Sequence, residues 1–243
     1  IHNSMKIFSL ANLITLLNLF FGCLTVLLLV ENNLDIQYVF VLTFICLILD
    51  FFDGLIARHL NMQSDIGIQL DSLADMISFG LVPGIIIYNL FIQAPSSYVG
   101  SIFSSVVPFF SFLVTIASAI RLAKFNISKS NSNFFKGLPT PANTILIYSL
   151  SIIISENNKF ADLFLNYSSL MLLVLVSSFL LVCNLKLLSF KFKKFRWKGN
   201  RRRICILCIS AILIYMLGFY SVPLIISIYI LVSIFTFYGK TAK

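Results

Sequence analysis

Apolar runs of about twenty residues, separated by short polar stretches, dominate the chain, and a helix of that length rises about 30 Å, enough to cross the hydrocarbon core of a bilayer. Eight spans are predicted, with approximate limits 11–30, 36–58, 65–92, 99–125, 139–155, 166–187, 203–218 and 220–238. The fold class is therefore all-α: a polytopic transmembrane helix bundle, a single integral membrane domain over 1–243. Residues 1–10 read as a weakly amphipathic lead-in at the interface. The first span carries Asn12, Thr15 and Asn18, and no small-residue cleavage site follows it, so a removed signal peptide is not expected.

Composition agrees with this pattern. Charged residues make up 11% of the chain, whereas a soluble domain carries about 25%. No connection between spans is long enough for a soluble domain. Cys23, Cys46, Cys183, Cys205 and Cys208 all lie in apolar runs, where a thiol behaves as a small hydrophobe. The single Cys205-x-x-Cys208 pair is not expected to form a zinc or redox site.

The net charge of +9 follows from topology rather than from nucleic-acid binding. With an even number of spans both termini share a side, and every Lys and Arg except Lys159 falls there. That asymmetry puts the termini in the cytoplasm. The basic run from Lys186 to Arg203, interleaved with Phe190, Phe192, Phe195 and Trp197, reads as a cytoplasmic loop resting on anionic headgroups.

Four of the nine acidic residues stand at the adjoining ends of two consecutive spans: Asp50 and Asp53 close the second, Asp71 and Asp75 open the third. Each pair falls on one helical face, and the short turn Asn61–Ser64 makes the two spans antiparallel neighbours. Converging carboxylates repel unless a cation or a shared proton intervenes, and Arg58 is the only cation on these faces. Hard oxygen ligands suit Mg²⁺, Mn²⁺ or Ca²⁺. Gly54, Ala57 and Gly67 leave room beside the backbone for a ligand. On these residues alone three chemistries remain open: metal-dependent phosphoryl transfer, cation or proton transport, and intramembrane proteolysis by an aspartate pair.

Written out, the segment is Asp50-x2-Asp53-Gly54-x2-Ala57-Arg58-x8-Gly67-x3-Asp71-x3-Asp75. It resembles the full signature of the CDP-alcohol phosphotransferase family at every fixed position. The resemblance implies a six-helix catalytic core, here about 1–187, around a polar cavity open to the cytoplasm, usually in a homodimer; the spans at about 203–238 are additional. It implies two divalent metal ions, Mg²⁺ or Mn²⁺ with Ca²⁺ as another occupant, held by Asp50, Asp53, Asp71 and Asp75, with Asp75 as general base. Gly54, Ala57, Arg58 and Gly67 would surround the cytidine diphosphate, and Asn12 and Thr15 would contact the nucleotide. Capping of the first helix is the other reading of Asn12 and Thr15.

Three further stretches resemble the membrane-embedded phosphatidylserine synthases of that family: Asn12 to Gly22; Asp75-Met-Ile-Ser78-Phe79-Gly80 with Pro83; and Arg121-Leu-Ala-Lys124-Phe125-Asn126 followed by Phe135 to Pro141. Lys124 departs from the Arg usual there. The resemblance implies transfer of a phosphatidyl group from CDP-diacylglycerol to L-serine at the cytoplasmic membrane. Glycerol 3-phosphate, an inositol phosphate or choline are the other acceptors, and a cation transporter is the rival from a different class. Arg121, Lys124, Asn126 and Ser78 are the candidates for seating the acceptor or a phosphate. A cation at the end of the fourth span can hold a carboxylate or phosphate, or can simply obey the positive-inside rule. Lys129 and Lys136 read as loop charges. Gly80-x-x-x-Gly84 predicts close helix packing, and Pro83 predicts a kink.

Overall fold

Polar and small residues recur along one face of the first span, and that face turns inward. In the computed structural model, which describes residues 9–31, 35–60, 64–95, 105–127, 134–188 and 197–237, α1 (Leu10–Glu31) buries Ala11, Asn12, Thr15, Asn18, Gly22, Thr25 and Leu29. Leu13, Leu17, Phe20, Leu27 and Val30 are exposed. A water-soluble helix would have this reversed. In lipid, large apolar side chains face the acyl tails at no cost, while small and polar ones pack and hydrogen-bond between helices.

Each predicted span corresponds to a helix. After α1 come α2 (Ile36–His59), α3 (Asp65–Gln93), α4 (Val107–Ile127), α5 (Thr140–Glu156), a short α6 (Asn158–Phe164), α7 (Tyr167–Val182), α8 (Trp197–Leu217) and α9 (Ser221–Phe237). Among the described residues, five helical runs are long and apolar enough to cross a membrane, and six if α6 and α7, bent by 76°, count as one. The protein is an all-α polytopic membrane protein. The last of these runs, Arg203–Phe237, is a hairpin that turns at Gly218, whose φ of 52° suits a residue without Cβ. At the turn, Phe219 packs on Phe40 and Tyr220 on Phe160. Toward the open end, Ile206 and Tyr229 share one buried cluster with Leu138, Leu187 and Leu188.

Pro83 does disturb α3, but the distortion precedes it as a π-helical stretch, Met76–Leu81. Proline has no N–H to offer the carbonyl one turn back, and Thr144 of α5 donates to that carbonyl, Phe79 O, at 3.0 Å. The neighbouring Gly80 O accepts from Thr115 of α4 at 3.0 Å. Two hydroxyls thus satisfy the backbone groups freed inside the membrane. Gly80 and Gly84 form the expected packing face: a Cβ on Gly80 would stand 3.2 Å from Ser118 Cβ, and one on Gly84 would collide with Thr115 Oγ1.

Two boundaries differ from expectation: α8 begins at Trp197 rather than near 203, so the last part of the basic run read as a loop is helical, and the sixth span ends early. The sixth span was predicted to run to residue 187, but α7 ends at Val182 and Lys186–Leu188 forms a strand, β2, antiparallel to β1 (Phe134–Lys136). The chain after β1 competes for the helix end. Leu138 N donates to Leu180 O at 2.8 Å and Gly137 N to Leu185 O at 3.0 Å. Gly137, at φ 71°, comes so close that a Cβ would lie 2.6 Å from Leu181 O. The lead-in 1–8, Lys129 and the centre of the basic aromatic run, 189–196, lie outside the described residues.

Candidate active site

The signature aspartates meet where α2 ends and α3 begins. One carboxylate oxygen each from Asp50, Asp53 and Asp71 can be chosen so that all lie within 4.8 Å of one another. Helical spacing explains part of the set: Asp50 and Asp53 are three apart on α2, Asp71 lies near the start of α3, and α1 packs on both helices. Asp53 is buried, and its Oδ2 accepts a 2.6 Å hydrogen bond from Thr15 Oγ1 of α1. Three hard oxygen donors at this separation, with no Lys or Arg bonded to them among the described residues, fit a divalent cation.

Asp75 stands one turn further along α3, outside that close group but within electrostatic range of Asp50, Asp71, Asp53 and Arg121. Its Oδ1 is buried and has no hydrogen-bond partner among the described residues. Arg121 of α4 donates from Nη1 to Thr140 Oγ1 at 3.3 Å, while its buried Nε has no partner among the described residues. An unpartnered acceptor and an unpartnered donor therefore stand in one electrostatic neighbourhood. Buried polar atoms are nearly always paired; among the described residues Asn18, Ser111, Asn143 and Ser178 hold the other exceptions.

The remaining predicted residues divide into two groups. Arg58, exposed, folds back over Gly54, whose added Cβ would lie 3.5 Å from its Nη1, and its charge acts on Asp50, Asp53 and Asp71. Asn12 packs on Gly67, where a Cβ would approach Asn12 Oδ1 to 2.9 Å. Ala57 is half-buried on the same face of α2 as Asp53. Capping of α1 falls to Ser9, whose Oγ accepts from Asn12 N at 3.1 Å, so Asn12 and Thr15 are not the caps.

Ser78, Asn126 and Lys124 are placed differently. Ser78 is buried and donates to Asn18 Oδ1 at 2.9 Å, joining α3 to α1. Asn126 Nδ2 donates to Ser72 Oγ at 2.8 Å, joining α4 to α3. Lys124 is exposed on α4. Asn18 is the residue that motif reading passed over: it is fully buried, and its Nδ2 has no partner among the described residues. Its signal was its place in the inward stripe Asn12, Thr15, Asn18. A cavity of about 530 Å³ lies at the opposite end of the bundle, among Asp35, Gln37, Asn89 and Glu156, and has no part in this acidic site.

Comparison with known proteins bears on the same residues. A family model described as CDP-alcohol phosphatidyltransferase matches residues 8–182. The chain is 34% identical over 191 residues to a CDP-diacylglycerol–serine O-phosphatidyltransferase of Helicobacter pylori (strain ATCC 700392 / 26695), covering 77% of this chain and 74% of the relative. It is 34% identical over 143 residues to the protein of the same name from Bacillus subtilis (strain 168), covering 57% and 73%. It is 31% identical over 153 residues to an archaetidylserine synthase of Methanothermobacter thermautotrophicus, covering 60% of each.

Proposed function

The chain belongs to the CDP-alcohol phosphatidyltransferase family, and from that premise we propose that it transfers the phosphatidyl group of CDP-diacylglycerol to L-serine, giving phosphatidylserine and CMP. The observation that supports the acceptor assignment is that Asp75 Oδ1 and Arg121 Nε, both buried and without a partner among the described residues, lie within electrostatic range of each other. A serine molecule needs both: a base for its hydroxyl and a cation for its carboxylate. The names of the relatives point to the same acceptor.

Asp75 accepts the proton of the serine hydroxyl as that oxygen attacks the phosphorus bearing diacylglycerol. The new bond is serine oxygen to phosphorus; the bond that breaks joins this phosphorus to the oxygen of CMP. Arg121, held by Thr140, binds the serine carboxylate and orients the nucleophile. Arg58 lies across Gly54 and meets the diphosphate, and Asn12, Thr15, Ala57 and Gly67 line the nucleotide. Asp50, Asp53 and Asp71, with Asp75 beside them, would hold the two divalent ions, Mg²⁺ or Mn²⁺, which supply Lewis-acid neutralisation of charge on the phosphate oxygens. Direct displacement suits a signature whose fixed positions include no Ser, Cys or His nucleophile. The placement of Lys and Arg supports an active site and termini facing the cytoplasm. A homodimer belongs to the same reading on the family resemblance alone.

The test is CMP release by purified protein supplied with CDP-diacylglycerol, Mn²⁺ or Mg²⁺, and one acceptor at a time: L-serine, glycerol 3-phosphate, inositol phosphate or choline. Release only with serine is expected. Release with another acceptor discards the Arg121–carboxylate assignment, and no release with any of them discards the transferase reading of this chain. Gly67→Ala probes the nucleotide side separately. The added methyl displaces the Asn12 carboxamide, and overpacking of this kind costs about 1–3 kcal/mol. The KM for CDP-diacylglycerol should rise about tenfold or more, with the KM for serine unchanged; steady-state kinetics with each substrate varied in turn measures both.

A further inference from the structure

The C-terminal hairpin lies beyond the residues that the family model matches, and no motif in the sequence gives it a role. Its second helix nevertheless turns two polar side chains onto the two-stranded ribbon. Tyr229, 8% exposed, donates its hydroxyl to Leu188 O at 2.8 Å. Ser233, fully buried, accepts from Leu188 N at 3.2 Å and donates to Tyr229 O at 2.7 Å. Both backbone groups of Leu188 are therefore held by α9.

Leu188 is paired with Phe134 at one end of the two-stranded ribbon. The strand containing Phe134 leads directly into Gly137, Leu138, Pro139 and Thr140. Leu138 is fully buried in the cluster that contains Tyr229 and Leu188. Thr140 opens α5, and its Oγ1 is the acceptor for Arg121 Nη1. The Tyr229 hydroxyl is also close enough to the Arg121 guanidinium for the two to interact electrostatically. One hydrogen-bonded route thus joins α9 to the guanidinium, through the ribbon and Thr140.

We infer that Tyr229 and Ser233 are positioning residues for the acceptor: they fix where Arg121 stands, and so set the affinity for the acceptor's anionic group, from a hairpin outside the matched core. This rests on the serine reading above. A hairpin that only adds apolar bulk would have no need of a buried hydroxyl pair gripping one residue of the ribbon, since polar groups in a span are costly unless they are used.

The experiment is steady-state kinetics of the full chain in detergent or vesicles, comparing wild type, Tyr229→Phe, Tyr229→Phe with Ser233→Ala, and Leu224→Ala as a control on the exposed face of α9. Tyr229→Phe keeps the ring and removes only the hydroxyl, so folding is preserved. It should raise the KM for serine about threefold to tenfold, the equivalent of one net hydrogen bond, and the double variant should raise it further. The KM for CDP-diacylglycerol should stay within about twofold, and Leu224→Ala should match wild type. An unmoved serine KM in Tyr229→Phe and in the double variant overturns the inference, as does an equal rise for both substrates or a serine shift of the same size in Leu224→Ala. A wild-type protein that releases no CMP with serine overturns the acceptor reading itself, which the wild-type arm reports independently of the variants.

Discussion

Asp75→Asn should lower kcat by about 10²–10⁴-fold, the usual contribution of a positioned general base, while leaving the protein folded and able to bind the CDP-lipid. The separation of fold from activity follows from the surroundings of this residue. Asp75 Oδ1 has no hydrogen-bond partner among the described residues, so the isosteric amide breaks no bond on that oxygen. The carboxylate also stands within range of three others, and removing its charge relieves repulsion. The melting temperature of Asp75→Asn in detergent should therefore equal or exceed that of wild type. Asp50, Asp53 and Asp71 form their close group without it, so stabilisation by Mn²⁺ should persist. Substrate binding is followed by the KM for CDP-diacylglycerol, which should move by no more than about threefold, because an interaction made only in the transition state lowers kcat and kcat/KM together. Full activity in Asp75→Asn would remove it from the role of base. Loss of activity accompanied by loss of the Mn²⁺ effect would make its share in holding the metal, rather than proton transfer, the role that activity depends on.

The sequence carried most of this. Eight apolar runs became helices because a bilayer imposes length and internal hydrogen bonding more strictly than water does. The aspartates could be placed on facing helix ends because helical spacing and a short turn leave few alternatives. What the sequence did not carry depends on contacts distant along the chain. The π-helical stretch at Met76–Leu81 exists because Thr115 and Thr144, on other helices, supply donors to Gly80 and Phe79; periodicity within the third span cannot show this. The strand at Lys186–Leu188 replaces the expected end of a helix because Gly137 and Leu138 occupy that end's carbonyls. Ser78 was a candidate for the acceptor from its place one turn past Asp75, and its hydroxyl is engaged by Asn18, on a helix that its own sequence neighbourhood does not reveal. The contribution of Tyr229 required the hairpin to fold back on the ribbon.

Asp53→Asn should abolish activity and at the same time stabilise the protein in the absence of divalent metal. Asp50, Asp53 and Asp71 hold oxygens within 4.8 Å of one another, and at an effective dielectric constant of about 20 two unit charges at that distance repel by roughly 3.5 kcal/mol. Arg58 offsets part of this, but it is exposed, and solvent weakens its effect. The amide preserves the packing and leaves an oxygen to accept from Thr15, so the fold loses little while the repulsion falls. Metal addition should then separate the two proteins in the opposite sense. A cation that binds the folded state at a hundred times its Kd stabilises it by about 2.7 kcal/mol, which corresponds to several degrees in melting temperature for a chain of this size. Wild type should show that rise with Mn²⁺; Asp53→Asn, with one ligand neutral, should show little or none, and its CMP release should fall by at least about a hundredfold. Thermal unfolding in detergent with Mn²⁺ or with chelator checks both signs at once. If the variant is less stable than wild type in chelator, the aspartate cluster is held together by more than a metal would explain. If Mn²⁺ raises both melting temperatures equally, the ion binds elsewhere.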